Sequence, residues 1–399
     1  MKLGLKVKNN IKLKMSDNLI GIMFSTMVVS LFIINIAAGL QEMTGVPQPM
    51  VSMACMILIF ITLLPCIYLV FKRFNARVAI FWISTALVWG GQSIIFPGNE
   101  FFNEQTLPTF LLTIFPVAAC FFCMREYAEL YRMLVKASYI VIIIFVILFV
   151  FFGDSLFKDT YSMGLTNSLI IPLNTLSYKM VYQDKRRQRI IDAALIALSL
   201  VGIVLRGSRG GIISVICCFI FFLYKKGRTN FISRMCIVAF CMVVLLPFYG
   251  MIIQGIIELI DEVEITSSRT LWILANDPFH DSGRIDMWKQ VWSSFAEHPF
   301  YIRGVNSDYF VIGTYSHTYI LELLHSFGLI FGGIILAALF VVMLRGFKRK
   351  VTDERDAILV VCMFSFFPQC FFSGSIWVST YFWIWLAILT SYRNGKVNM

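Results

Sequence analysis

The sequence predicts an all-α polytopic membrane protein: about twelve transmembrane helices, one large extracytoplasmic loop. Three observations predict it. Hydrophobic residues make up 58% of the 399 and charged residues 14%, whereas soluble chains hold about 45–50% and about 25%. Apolar runs of about 18 to 23 residues recur from end to end, long enough for a hydrocarbon core roughly 30 Å thick. The basic residues fall almost entirely on one side of the threading those runs impose, as the positive-inside rule requires.

The first run, about 18–40, is longer than a signal-peptide core and has no small-residue cleavage site behind it. It therefore reads as a retained span. Further spans are expected at about 50–71, 77–96, 108–124, 136–153, 164–183, 190–206 and 209–224, and then at 232–254, 326–344, 356–373 and 376–392. With both termini cytoplasmic, the clusters beginning at Lys2, Lys72, Arg125, Lys185, Lys225, Arg345 and Arg393 all lie inside and hold 26 of the 34 Lys and Arg. Seven face outside: Lys158, Arg206, Arg209, Arg269, Arg284, Lys289 and Arg303; Lys179 sits within a helix. The net charge of +11 is thus topology rather than a nucleic-acid footprint. All ten cysteines lie inside apolar runs, where they read as small hydrophobes. Cys120 and Cys123 form a CxxC with no second pair, so no metal site or disulfide is expected.

Residues 1–399 read as a single integral membrane domain with the large loop, 255–317, inside it. That loop carries nine acids against four bases and three of the four histidines, His280, His298 and His317; His325 follows closely. Its length against neighbouring outer loops of about 3 to 13 residues marks it as functional.

Three features on the outer surface invite chemistry. In "RGSRGG" (206–211), Arg206 and Arg209 break the charge bias at a tight outer turn. A helix starting near Ser208 points its unpaired N–H groups and positive dipole end outward. Gly207, Gly210 and Gly211 would let a ligand reach the backbone, and two guanidinium forks match phosphate oxygens. The alternative is that both arginines snorkel to ordinary headgroups. In "HDSGRIDMWKQVWSSFAEHPF", Ile285, Trp288, Trp292 and Phe295 recur at helical spacing. With Ser282 as N-cap, they predict an amphipathic helix over 283–297, lying on the membrane or capping the bundle. Arg284 then sits in the first turn, against the helix dipole, which calls for an anionic partner: a substrate phosphate or the nearby Asp281. In "GTYSHTYILELLHSFGLIFGG", His317 stands where the chain re-enters the membrane. It is suited to proton transfer near neutral pH, although a lone interfacial histidine is more often simply solvated or hydrogen-bonded.

"GSRGG" in an outer turn, then "SGRIDMW…HPF" in a long outer loop, then "SHTYILELLHSFGLIFG" opening a helix: taken in this order, these motifs resemble the O-antigen polymerase and ligase family (Wzy and WaaL type). The resemblance covers about 160–345 through motifs and the rest through hydropathy alone. It implies a bundle like those of the SEDS and GT-C glycosyltransferases, in the bacterial plasma (inner) membrane. It also implies glycan transfer at the outer face from undecaprenyl pyrophosphate, without cofactor, metal or nucleotide sugar. Membrane lipids, a chain-length regulator and a flippase would be its partners, and no nucleic acid.

By position, Arg209 and Arg206, with Ser208 and Gly210, would bind the donor pyrophosphate. Arg284 would do so from the loop, and His317 would orient or deprotonate the acceptor hydroxyl. The chain departs from the family at Thr318, where Asn is frequent, and at Arg303, where a glycine-rich run is common. Asn167 and Asn174 match a polar helix position of the family, which helix packing explains equally well.

The leading expectation is a polymerase of lipid-linked repeat units, favoured over an O-antigen ligase because "RGSRGG" and "SGRIDMW" look more like polymerase members. A lipid-glycan flippase or transporter is the rival from another class. It would show two related halves and charges at mid-membrane, whereas here the charged features gather on one face after about residue 205. An assembly partner without activity would leave Arg209 dispensable.

Overall fold

The computed structural model describes residues 2–157, 162–206, 209–227, 283–348, 350–372 and 374–391. Every regular element among them is helical. In chain order these are α1 (Lys2–Thr44), α2 (Gln48–Lys72), α3 (Ala76–Ile95), α4 (Phe102–Phe122), α5 (Ala128–Phe157), α6 (Ser162–Tyr182) and α7 (Arg186–Arg206). They continue with α8 (Arg209–Lys226), α9 (Arg284–Glu297), the single turn α10 (Tyr309–Ile312), α11 (Tyr319–Lys348), α12 (Glu354–Phe372) and α13 (Thr380–Ser391). Each expected span overlaps one of these helices, with α1, α5 and α11 starting well before the expected 18, 136 and 326, except 232–254, which lies outside the described residues. Among the described residues, six stretches are long and apolar enough to cross a membrane by length and composition: Asp17–Ala37, Gln48–Lys72, Ala76–Ile95, Phe102–Phe122, Ala128–Phe151 and Tyr319–Lys348. The chain is a multi-pass membrane protein.

Local chemistry explains several element ends. Asn75 caps α3, its side-chain oxygen accepting from the N–H groups of Arg77 (3.0 Å) and Val78 (3.2 Å). A π-helical turn at Ala86–Gly90 interrupts α3 and coincides with a buried Trp89. Gly328 ends the first part of α11: it takes φ 72° and ψ 175°, so two helices meet there at a kink. A Cβ at Gly328 would lie 3.0 Å from the Phe300 carbonyl carbon, so that bend is open only to glycine.

The fold divides into two compact units. One comprises Met1–Met23, Ile61–Tyr131 and Asp281–Met399, the other Phe24–Phe60 and Arg132–His280. In the first, the core is aromatic. Trp89 stacks on Phe110 (ring centroids 3.8 Å) and meets Trp377 edge-on, while Phe110 meets Trp383. In the second, α6 packs against α7 and α8. Lipid offers no hydrophobic drive to hold helices together, so close backbone approach and polar pairs do that work. A Cβ at Gly202 would lie 2.7 Å from the Phe145 ring, and one at Gly211 would overlap the Thr166 methyl. Gly211 was expected to open the backbone to a ligand. It is instead the contact that lets α8 approach α6.

Lys179, set apart in the sequence as the one intrahelical base, has its partner in this unit. Its Nζ lies 2.9 Å from the fully buried Asp192 of α7. Asp192 also accepts from the Tyr139 hydroxyl of α5 and from Gln188 (3.2 Å).

Candidate functional site

The arginine turn has helices on both sides: α7 ends at Arg206 and α8 begins at Arg209. Gly207 and Ser208 lie outside the described residues. Arg209, Gly210 and Gly211 therefore form the first turn of α8, whose amide hydrogens have no acceptor within the helix. An apolar cavity of about 180 Å³ opens between α6, α7 and α8, lined by Ser177, Ile196, Leu200, Val215 and Phe219 among others.

The second group belongs to the other unit and starts with α9. Its amphipathic helix is where the sequence predicted, and two details differ. The residue before it, Gly283, is left-handed (φ 77°) and makes no side-chain cap; Ser282, the expected cap, and Asp281, the alternative partner of Arg284, lie outside the described residues. The buried face is also rotated. Val291 and Phe295 are buried, Trp288 is half-buried, and Ile285 and Trp292 stand about half exposed. The i, i+3, i+7 set 288/291/295 was the better stripe; two large exposed side chains drew the expectation one position aside. Arg284 is the first residue of the helix and half-buried.

After α9 the chain runs Pro299–Thr318 through a bed of hydrogen bonds. The Arg303 and Gly304 amides both donate to the Ser326 carbonyl, at 3.0 and 2.9 Å. Arg303 also sends Nη2 to the Ser294 carbonyl of α9 at 2.9 Å. Val305 is held on both sides: its amide donates to Gln92 Oε1 (3.1 Å) and its carbonyl accepts from Asn99 Nδ2 (2.7 Å). Asn306 is left-handed at φ 60°. Asp308, fully buried, accepts the Ser316 amide on Oδ2 at 2.6 Å. Burial pushes its carboxyl above the ordinary carboxylate range, although the Ser316 hydrogen bond pulls the other way.

The two histidines near the re-entry point differ sharply. His317 is half-buried, left-handed at φ 56°, and packs its ring against Tyr315 with centroids 4.4 Å apart. His325 is buried, its Nδ1 2.8 Å from the Ser307 hydroxyl and its Nε2 3.2 Å from the Ser294 hydroxyl. It ties α11 to α9 and to the loop between them.

Arg284 and His317 thus stand on one hydrogen-bonded scaffold within one unit, and in the other Arg206 ends α7 and Arg209 begins α8. Sequence reasoning missed Trp288, Gln92, Asn99, Ser307, Asp308 and Ser316 as parts of this scaffold. The signal for the loop residues was present in "RGVNSD" and "YSHT", runs dense in side chains that bond their own backbone. For Gln92 and Asn99, far away in sequence, there was none. Among the described residues, no group of three or more His, Cys, Asp or Glu is placed to hold a metal ion.

Comparison with known proteins adds a family. No curated protein matches the chain. A family model described as O-antigen ligase matches residues 194–336. That stretch takes in most of α7, all of α8, α9 and α10, and α11 beyond its kink, and so brackets every residue singled out above as a ligand for phosphate or a base. Over this segment the chain is similar to that O-antigen ligase family model.

Proposed function

We propose that the protein is a glycosyltransferase of the outer face of the plasma membrane. It polymerises a polysaccharide repeat unit carried on undecaprenyl pyrophosphate. The observation that carries this reading is the scaffold that joins α9, with Arg284 in its first turn, to the segment bearing His317. In the reaction, an acceptor sugar hydroxyl gives its proton to His317 as its oxygen bonds to the anomeric carbon of the donor glycan. The bond from that carbon to the phosphate oxygen breaks, and the electron pair leaves with the lipid pyrophosphate. Arg206, Arg209 and Arg284 neutralise the charge that develops on it, commonly the largest catalytic contribution. Gly210 offers a backbone donor in the first turn of α8, Ser208 is assigned to the same pyrophosphate, and the apolar cavity between α6, α7 and α8 suits a prenyl chain. No nucleotide sugar is needed in this reading, because the donor is already activated by its pyrophosphate, and the arginines take the part a metal would otherwise play at the leaving group.

In this reading the chain crosses the membrane twelve times in a bundle of the SEDS and GT-C kind, with both termini cytoplasmic, as a single domain with its large loop outside. A chain-length regulator and a flippase are its expected partners. The second reading is an O-antigen ligase that passes the glycan to lipid A-core; the matching family model carries that description and is compatible with either reading.

Complementation of a deletion strain with Arg209→Ala and Arg209→Lys separates these. Normal membrane levels with the glycan ladder collapsed to one repeat support the polymerase. Long glycan that no longer reaches lipid A-core supports the ligase, and a full ladder with both variants removes the anion site from the account.

A further inference from the structure

His317 is one of two non-glycine residues with positive φ among the described residues, a conformation that side chains rarely adopt and that persists only where the surroundings hold it. Those surroundings are on view. Ser316, the residue before it, is gripped three times. Its amide donates to Asp308 Oδ2 at 2.6 Å, its carbonyl accepts from Trp288 Nε1 at 2.8 Å, and its hydroxyl donates to the Thr318 carbonyl at 3.2 Å, across His317. The carbonyl of Ser316 belongs to the same rigid peptide plane as the amide of His317, so the indole bond sets where that plane lies. The Asp308 bond fixes the other side of Ser316.

Trp288 also stands four residues after Arg284 in α9, on the same face of the helix. One indole hydrogen bond therefore sets both the imidazole and the helix that carries the guanidinium.

We infer that Asp308 and Trp288 are positioning residues for His317, holding its backbone in the left-handed conformation that aims the imidazole and registering it against Arg284. This rests on the role given to His317 above and adds a device to it. In this device Asp308 acts as a hydrogen-bond acceptor, with Oδ2 meeting the Ser316 amide, and its charge is not required.

The test uses the full-length protein in membrane vesicles supplied with lipid-linked repeat units, with blotting for protein level and initial rates across acceptor concentrations. Asp308→Ala should lower kcat by roughly ten- to a hundredfold, the penalty for misplacing a reacting group by about an ångström, with KM near wild type. Asp308→Asn should recover most of that loss, since the amide oxygen accepts the same hydrogen. Trp288→Phe, which keeps an aromatic side chain and removes the indole N–H, should fall as Asp308→Ala does, and it serves alone should Asp308→Ala not reach the membrane. In the His317→Ala background neither substitution should slow transfer further. Asp308→Asn as slow as Asp308→Ala would overturn the inference by making the carboxylate itself the reacting group. So would a further loss on top of His317→Ala, because a general structural defect is blind to that background. If His317→Ala alone transfers at the wild-type rate, the role of His317 fails and the inference with it. If His317→Ala is inactive while Asp308→Ala and Trp288→Phe run at full rate, the positioning device alone is wrong.

Discussion

Both ring nitrogens of His325 are engaged by hydroxyls, whichever tautomer the ring adopts, because a hydroxyl can give or take a hydrogen. Replacing this ring with leucine strands two hydroxyls, one of them fully inside the fold, at about 1–3 kcal/mol for each buried group left unpaired. The expected result is a lower melting temperature in detergent and a fainter band in the membrane fraction. His317→Ala should do the reverse, melting like wild type while transfer falls by about 10²–10⁴, the usual reach of general acid–base catalysis. From the sequence these two histidines were hard to tell apart. Both sit at the mouth of one apolar run, and what separates them is partners drawn from Ser294 and Ser307, which no local pattern announces. The arginines stand out in the sequence for the opposite reason. A permanent charge flanked by glycines between two apolar runs conflicts with its own surroundings, and such conflict is visible without coordinates.

At the scale of elements, hydropathy carried almost everything about where helices lie. It carried little about how they are bent or which face they bury. The kink in α11 comes from one glycine pressed on the Phe300–Tyr301 backbone, inside a run whose composition is uniformly apolar. Gly328→Ala would meet both a positive φ and that backbone, so we expect loss of folded protein from the membrane, read by size-exclusion of the solubilised chain. Gly333→Ala, where a Cβ meets nothing within 4 Å, should elute as wild type.

The Lys179–Asp192 pair tests the packing of α6 against α7. A charge left alone at this depth is costly, and removing one partner of a buried pair commonly destabilises by about 3–5 kcal/mol. Asp192→Leu should therefore melt well below wild type, and Lys179→Met with Asp192→Leu should regain most of the difference. The rotated face of α9 has a related lesson. Tryptophan and isoleucine at helical spacing looked like a core stripe, yet at a membrane surface large apolar side chains also face outward.

For the whole molecule, the claim that follows from charge is the threading. Reporter fusions after Gln188, Gly227 and Lys350 should be active only as cytoplasmic reporters, and those after Gly45 and Gly283 only as extracytoplasmic ones. An extracytoplasmic signal at Gly227 would invert the side on which the arginine turn and His317 are placed. The threading rests on constraints that the bilayer imposes: element length and basic-residue bias are global and each span repeats them. The scaffold around His317 was not, since Gln92, Asn99 and the Arg303–Asp308 loop meet only through the tertiary fold.

The central claim is that this chain alone joins lipid-linked repeats by arginine-assisted departure of a pyrophosphate. Its most direct test is the purified protein in liposomes, given undecaprenyl-pyrophosphate-linked repeat units, EDTA and no nucleotide sugar, with products resolved by gel. The account predicts a ladder of lengthening glycan with release of undecaprenyl pyrophosphate, abolished by Arg209→Ala. Absence of any ladder, with the glycan passing instead to added lipid A-core, would contradict it.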